Sequence, residues 1–197
     1  VEEPFCFKVQ IQVKGDMLPV SFFDVPDQLP YGGTNITYST LVADVVYILK
    51  CILSPNVPGN DGDFRPITIN AKKGCVFNCQ IPAAVNQRTR SLWNVPPSIM
   101  QALAEIIPKK IQAPTGYPES FKTYGVTDSG ENFNDHMFQG GGQGAGSVCD
   151  GQSTLLFPTS AGNVSVEMFE MRTGFLVMEK EFITDSSGAG KFRGAPG

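Results

Sequence analysis

The sequence contains a single histidine, His136, and no excess of basic residues. Its 15 lysine and arginine residues are outnumbered by 19 aspartate and glutamate residues, for a formal net charge of −4 at pH 7. Nucleic acids and anionic membranes are held by clustered cations, so this balance argues against both as partners. A transmembrane helix needs about 18 consecutive apolar residues. The longest candidate, residues 41 to 53, is interrupted by Asp44 and Lys50, so we predict no membrane segment.

The cysteines lack the pattern of a disulfide framework. Their number is odd and their spacing irregular, at Cys6, Cys51, Cys75, Cys79 and Cys149. Cys75 and Cys79 have no second Cys or His pair at a spacing suited to zinc. We therefore predict no metal site here and reduced, mostly buried thiols in a cytoplasmic protein.

The N-terminal part combines strands with a long helix. Residues 5 to 23 alternate apolar and polar side chains around a Gly-Asp turn, which predicts a hairpin. A helix is predicted from about 36 to 53, with Thr34 or Asn35 as its cap. Residues 55 to 66 are rich in Pro, Gly, Asn and Asp and are expected to be a loop, followed by a short strand near 67 to 71.

The remainder mixes helices and strands without a regular βαβ rhythm. Pro96 and Pro97 begin a predicted helix that carries Ile99, Leu103, Ile106 and Ile107 on one face. Strands are predicted at 121–126 and 133–138 around a turn at 128–130, and at 175–183. Residues 164 to 168 permit a strand, but a short capped helix is favoured.

These patterns favour an α+β fold with mixed or antiparallel sheets and a few packed helices. The chain begins with Val1 rather than Met, and residues 188 to 197 show no closing element. We therefore interpret residues 1–197 as a single segment of a longer polypeptide. Its possible lobes are a hairpin and helix at 1–60 and a mixed α+β part at 61–197.

The region most indicative of a reactive site is centred on His136. An imidazole titrates near neutral pH, and the glycines that follow it let the backbone approach a ligand closely. His136 is the candidate general base, with Asp135 or a backbone carbonyl to orient it. Neighbours on a strand point to opposite faces, so Asp135 is not expected to touch the ring, and Glu167 or Glu170 is the alternative partner. A strand that ends in a glycine turn, with a purely hydrogen-bonding His136, fits the pattern equally well.

Short motifs follow one another in order along almost the whole chain. They are Gly62-Asp-Phe-Arg65-Pro66, Ile69-Asn-Ala71, Gly74-Cys-Val-Phe-Asn78, Pro82-Ala-Ala-Val85 with Arg88, His136-x-x-x-Gly140-Gly-Gly-x-Gly144-Ala145, Asp150-Gly151, Phe157-Pro-Thr-Ser-Ala-x-Asn163-x-Ser-Val-Glu167 and Asp185-Ser-x-Gly188-Ala-Gly190-x-x-Arg193-Gly194. Together they resemble the hydantoinase B/oxoprolinase family. The chain departs from the family pattern at Lys72, where proline is common, and at Ser187 and Ala195, where glycine is common. These are turn positions, where we expect local changes of the backbone only.

The resemblance implies an ATP-dependent reaction shared between subunits. A hydantoinase A-type subunit with an actin-like ATPase fold uses ATP and Mg to phosphorylate the carbonyl oxygen of a small-molecule substrate, and a B-type subunit completes the reaction. By this resemblance, the chain would be part of a cyclic-amide hydrolase of the N-methylhydantoin or 5-oxoproline type, and it would act in a hetero-oligomer. Two alternatives stay open: a subunit of an acetone or acetophenone carboxylase, and a non-catalytic assembly domain for the ATPase subunit.

The resemblance also implies candidate substrate contacts. Arg88 and Arg90 suit a phosphate or carboxylate, although ordinary surface salt bridges are the alternative. The amides of Gly140, Gly141, Gly142 and Gly144 suit an anion-binding nest, although tight packing is the alternative. Asn163 and Glu167 are further candidates, or simply a helix cap. No cofactor is expected on this segment. The resemblance implies that the His/Asp metal ligands of the ketone carboxylases would lie upstream of it, and the isolated segment is expected to be inactive.

Overall fold

The computed structural model describes residues 4–159, 161–162 and 164–197. It divides into two compact units, Val1–Ile111 (unit 1) and Gln112–Gly197 (unit 2). Helices and small sheets are mixed along the chain, which confirms the α+β class. The division between the units lies at residues 111 and 112. The possible lobe boundary after residue 60 falls inside unit 1. Strands that precede and follow residue 60 share one sheet there.

Unit 1 is built on a three-stranded sheet of β1 (Lys8–Ile11), β2 (Leu18–Phe23) and β3 (Ile67–Asn70). β1 and β2 pair antiparallel, which confirms the predicted hairpin. β2 and β3 pair parallel, with Val20 opposite Ile69. Since parallel strands need a crossover, the long helix that connects them completes a βαβ arrangement.

The crossover helix is α1 (Tyr38–Leu53), close to the predicted range. Its cap is Thr37, whose side chain accepts a hydrogen bond from the backbone N–H of Thr40 at 3.4 Å. The prediction that Thr34 or Asn35 would cap it was therefore wrong. A cap must directly precede the first turn, and here that position belongs to Thr37.

Asn35 is fully buried and fastens two loops instead. Its Oδ1 accepts the N–H of Leu29 at 2.8 Å, and its Nδ2 donates to the carbonyls of Leu29 at 2.8 Å and Ala84 at 3.0 Å. All of these bonds satisfy a buried amide, which would otherwise be costly. The carboxamide is thus a structural element of unit 1.

Shorter helices follow β2 and β3 along the chain. α2 (Asp61–Phe64) lies in the predicted loop, and α3 (Arg88–Leu92) contains both candidate arginines; neither helix was predicted. α4 (Val95–Ala104) begins at the predicted proline pair. Ile106 and Ile107 lie beyond its end, and Ile106 is 74% exposed, so the predicted apolar face stops at Leu103.

The core of unit 1 forms where α1 and α4 pack together and where α4 packs on β1. Side chains with almost no exposure fill it, namely Val20, Ile36, Leu41, Val45, Ile48, Leu49, Val76, Phe77, Val95 and Ile99. Three rings meet edge to face within it, because Phe77 lies 4.7 Å from Phe7 and 5.5 Å from Phe22 between ring centroids. Such edge-to-face pairs add to the stabilisation from burial alone.

Unit 2 contains an antiparallel hairpin of β4 (Glu119–Val126) and β5 (Asn132–Gln139), as predicted. Helix α5 (Val166–Thr173) packs against the hairpin. The side chain of Ser165 caps α5, and Gly174 ends it in the left-handed region at φ +70°. The favoured helical interpretation of this region is confirmed.

The strand predicted at residues 175 to 183 is absent from the part of the chain that the structure describes, and that prediction was wrong. The segment is rich in apolar residues but has no sheet partner among the described residues. One of its backbone donors, the N–H of Val177, bonds to Oε1 of Glu170 at 2.7 Å. A strand requires a ladder of hydrogen bonds with a second strand, and an apolar sequence alone does not supply one.

All five cysteines are free thiols. Only Cys75 is buried, whereas Cys6, Cys51 and Cys149 are exposed, so the prediction of mostly buried thiols was wrong. Among the described residues, no helix has the length and apolar character to cross a bilayer.

Candidate functional site

The only histidine lies on one face of the unit 2 hairpin. His136 is in β5, directly opposite Lys122 in β4. Its ring lies 4.0 Å from the ring of Phe138, two residues along the same strand. Tyr124, on the same face, is 85% exposed. Alternation along the strands therefore places an imidazole, an ammonium group and two aromatic rings on one accessible surface. We call Lys122, Tyr124, His136 and Phe138 the histidine face.

The surroundings of His136 favour its neutral form. Partial burial lowers the pKa of the imidazole below its ordinary value of 6.5, and the ammonium of Lys122 lowers it further. The carboxylate of Asp135 acts in the opposite direction. A neutral imidazole at pH 7 can accept a proton, and a nearby ammonium attracts anions. The histidine face thus combines a base with a site for negative charge.

Asp135 lies on the opposite face of β5 from the histidine ring. One carboxylate oxygen accepts the backbone N–H of His136 at 2.6 Å, and the other lies 3.8 Å from the guanidinium of Arg172 in α5. The Asp135 side chain is 14% exposed. As expected from the strand geometry, these contacts run to the backbone of His136 and to α5. Asp135 therefore joins the hairpin to α5.

The other acids considered as partners lie on or beside α5. Glu167 is exposed in the first turn of the helix, where a carboxylate complements the helix dipole. Glu170 bonds to the N–H of Val177. Asn163 lies outside the described residues. The capping role is held by Ser165, and a substrate-binding role for Glu167 or Asn163 stays a prediction.

The glycines after β5 run between two stretches of backbone. Gly116 donates its N–H to the carbonyl of Gly142 at 2.9 Å, and Ala195 donates to the carbonyl of Gln143 at 3.0 Å. A Cβ on Gly144 would lie far inside van der Waals contact with the carbonyl oxygen of Ala113. Gly140 and Gly141 are equally close to neighbouring backbone, and Gly142 has a φ of +81°. Tight packing thus accounts for these glycines without a ligand, and an anion-binding role stays a prediction.

The two arginines lie in unit 1. Both are on α3 and exposed, and the backbone and guanidinium of Arg88 bond to the carbonyl of Val85. The structure therefore places Arg88 and Arg90 at the surface of one unit, and His136, Asp135, the glycines and Glu167 in the other.

One polar cleft in unit 1 had not been predicted. It has a volume of about 390 Å³ and lies where the parallel strands β2 and β3 end. Ser21, Tyr38, Asn70 and Lys72 are among its lining residues. The carboxyl ends of parallel strands are a common position for ligand sites. Its polar groups already bond within the protein: Asn70 donates to Ser21 at 3.2 Å, and Lys72 pairs with Asp27 at 2.7 Å.

A half-buried acid in α1 had also been missed. Burial raises the pKa of the Asp44 carboxyl to about 7. Its Oδ2 atom is buried, with no hydrogen-bond partner among the described residues. A charged residue that interrupts the apolar run at 41–53 was the available signal. No group of three or more His, Cys, Asp or Glu side chains that could hold a metal occurs among the described residues.

Lys122 was overlooked although the sequence contained the signal. A hairpin centred on the predicted turn at 128–130 pairs residues whose numbers are symmetric about 129, which places Lys122 opposite His136. The structure has this register. Hairpin register follows from the turn, so a candidate base and its cationic neighbour were both accessible to sequence reasoning.

Comparisons with known proteins agree on one family. A family model described as hydantoinase B/oxoprolinase matches residues 2–197. The chain is 30% identical over 199 residues to the B-type subunit of a putative D-/L-hydantoinase from Pseudomonas sp. strain NS671, covering 96% of this chain and 33% of that protein. It is 27% identical over 176 residues to the 5-oxoprolinase PfmaA of Pestalotiopsis fici, covering 85% of this chain and 13% of that protein.

A solved structure shows the same fold. The crystal structure of the ATP-dependent caprolactamase from Pseudomonas jessenii superposes with a TM-score of 0.78 at 21% identity, covering 98% of this chain and 38% of that chain. The beta subunit of caprolactamase from the same organism is 25% identical over 198 residues, which are 95% of this chain and 34% of that protein. The chain therefore spans about a third or less of the length of these curated relatives.

Proposed function

This chain belongs to the hydantoinase B/oxoprolinase family, and on that premise we propose that it forms part of an ATP-dependent enzyme that opens cyclic amides. Relatives named for 5-oxoproline, hydantoin and caprolactam support this proposal, because all three molecules contain an amide in a ring. We further propose that it acts with an A-type ATPase subunit, since two of these relatives are named as single subunits.

The chemical problem explains why ATP is needed. A ring amide is a poor electrophile, and phosphorylation of its carbonyl oxygen by ATP makes the attached carbon more electrophilic. The proposed role of this chain is the following hydrolysis: water adds to the activated carbon, the ring C–N bond breaks as the nitrogen takes up a proton, and a second water hydrolyses the resulting acyl phosphate to release phosphate and the ring-opened acid. An active site for this step must position water and accommodate an anionic phosphorylated intermediate.

The observation that carries the proposal is the juxtaposition of His136 and Lys122 on the histidine face. His136 would accept a proton from the attacking water, because burial and Lys122 keep its imidazole neutral. Lys122 would attract the negative charge of the intermediate. Arg88 and Arg90 remain proposed contacts for phosphate or carboxylate. The glycines Gly140, Gly141, Gly142 and Gly144, together with Asn163 and Glu167, remain proposed substrate contacts.

The test is ATP-dependent turnover by the full-length protein with its A-type partner. Caprolactam, 5-oxoproline and hydantoin would be offered separately, and acetone would be offered with bicarbonate. ADP, ring-opened product and β-keto acid would be measured. His136→Gln should reduce product formation by about 10²-fold or more, as expected for loss of a general base. Asn134→Ala is the matched control, because Asn134 is exposed two residues away on the same strand and has no proposed role.

Each result has a distinct meaning. Coupled release of ADP and ring-opened product, lost in His136→Gln and kept in Asn134→Ala, supports the proposal. Turnover that survives His136→Gln would remove the histidine face from the reaction while leaving the family assignment intact. ADP release that requires bicarbonate and a ketone would replace hydrolysis by carboxylation.

A further inference from the structure

The polar cleft of unit 1 lies on the outer face of its sheet. Val20 and Phe22 are buried in the core on one face of β2, so Ser21 between them lies on the opposite face. The register places Ser21 beside Asn70 of β3, and both residues line the cleft together with Phe23. At about 390 Å³ the cleft falls within the range of about 300–1,000 Å³ that is typical of small-molecule sites.

The side chains of Ser21 and Asn70 keep unused hydrogen-bonding capacity. Asn70 donates from Nδ2 to the Oγ of Ser21 at 3.2 Å. Within the part of the chain that the structure describes, no bond uses the Oδ1 of Asn70 or the hydroxyl hydrogen of Ser21. Tyr38 differs, because its hydroxyl donates to the carbonyl of Ile69 at 2.8 Å. The cleft therefore presents one hydroxyl donor and one amide acceptor side by side, next to a phenol that is held in place.

Lys72 gives the cleft a positive charge. Of the described residues that line the cleft, Lys72 is the only charged one. Its ammonium pairs with Asp27 at 2.7 Å, and the two side chains are 70% and 79% exposed. Ion pairs as exposed as this one contribute little stability, and an ammonium has three hydrogens to donate. Lys72 can therefore bind a second anion beside Asp27 or exchange Asp27 for it.

We propose that this cleft binds a small organic carboxylate that also carries an N–H group. The carboxylate accepts hydrogen bonds from Lys72 and from the hydroxyl of Ser21, and the N–H donates to the Oδ1 of Asn70. Apolar atoms of the ligand contact Phe23. A phosphate suits the cleft less well, because its nearly two negative charges would meet a single cation that already has a carboxylate beside it. The inference concerns unit 1 alone and is independent of the reaction proposed above.

The test titrates N-acetylglycine, a small carboxylate with one N–H, into the full-length protein and measures binding by ligand-observed NMR. Two matched probes each remove one feature. N-acetylglycinamide lacks the carboxylate, and N-acetyl-N-methylglycine lacks the N–H. N-acetylglycine should bind with a dissociation constant on the order of 1 mM, and each of the other probes should bind at least about five-fold more weakly. Equal binding of all three probes would overturn the proposal.

Substitutions around the cleft locate the site. Lys72→Gln should weaken the binding of N-acetylglycine at least about ten-fold. Lys73→Gln is the matched control, because Lys73 is the neighbouring exposed lysine and does not line the cleft, and it should leave binding unchanged. Asp27→Asn should tighten binding by about two- to five-fold, because it frees the ammonium of Lys72 from its partner. Circular dichroism would verify that each variant keeps its fold.

Four further results would overturn the proposal. N-acetylglycine could show no measurable binding at about 10 mM, a concentration well above the expected dissociation constant. Lys72→Gln could bind it as tightly as the native protein does. Lys73→Gln could weaken binding as much as Lys72→Gln, which would indicate a general effect of charge. Binding that His136→Gln abolishes and Lys72→Gln preserves would place the ligand on the histidine face instead.

Discussion

Unit 1 is organised around large apolar side chains, whereas unit 2 relies on backbone packed against backbone. Of the buried apolar side chains in the described part of the molecule, only Met137, Leu156 and Phe169 belong to unit 2. There, glycines let neighbouring segments approach, and main-chain bonds such as Gly116 to Gly142 join them. Packing by side chains tolerates some change of shape, while close backbone contact tolerates no added atom. The two units should therefore fail under different substitutions.

The largest expected effect is in unit 1. Leu41 is fully buried in α1, so Leu41→Ala removes buried methyl groups and leaves a cavity. We expect a loss of about 2–5 kcal/mol in the free energy of unfolding, measured with urea. Leu53→Ala at the end of the same helix is the control, because Leu53 is 43% exposed and should cost less than about 1 kcal/mol. Equal losses for the two variants would mean that α1 is not the apolar centre of unit 1.

The corresponding weak point of unit 2 is a glycine. Gly144→Ala would force a Cβ into the carbonyl group of Ala113, so one of the two backbone segments must move. We expect a cost of about 1–3 kcal/mol, as for overpacking, measured by thermal unfolding. Gly162→Ala serves as the control, since a Cβ there meets no atom within 4 Å. If Gly144→Ala proved neutral, backbone contact would not be what holds this part of unit 2.

The predictions from sequence were right where the structure depends on local signals and wrong where it depends on distant contacts. Apolar periodicity located α1 and α4, and turn chemistry located the hairpins, because these signals are local. The role of Asn35 was inaccessible, since one of its partners, Ala84, is 49 residues away. The prediction of a strand at 175–183 was wrong for the same kind of reason, because a strand depends on a partner strand that the local sequence does not reveal. For the site, His136 was identified directly, whereas the packing of the glycine run depended on distant segments.

Asp44 is a half-buried acid in α1, the long helix of unit 1. Burial raises its pKa from 3.8 to about 7. Between these values the folded protein keeps a proton that the unfolded chain releases, so stability should fall as pH rises from about 4 to 7. Above pH 7 the free energy of unfolding should be lower than at pH 4 by an amount on the order of 4 kcal/mol. Asp44→Asn keeps a polar group there, so we expect it to recover only part of this cost.

The measurement is thermal unfolding of the native protein and Asp44→Asn at pH 5 and pH 8. The variant should be more stable at pH 8, by about 1–2 kcal/mol, and its advantage should shrink at pH 5. Asp16→Asn, which removes a carboxylate from an exposed position in the first hairpin, is the matched control. An advantage of the same size at both pH values would show that the carboxyl does not titrate in this range.

The smallest expected effect concerns the accessible side of unit 2, on the histidine face. Because His136 is the only histidine, its ring protons give a single titration curve by NMR. Lys122 lowers the pKa of His136, so Lys122→Gln should raise it; Asp135 raises that pKa, so Asp135→Asn should lower it. Lys180→Gln controls for a general change of charge and should leave the curve in place. An unchanged curve in Lys122→Gln would mean that the cross-strand ammonium does not act on the imidazole, and the histidine face would then lose the electrostatic basis for its proposed role as a base beside an anion site.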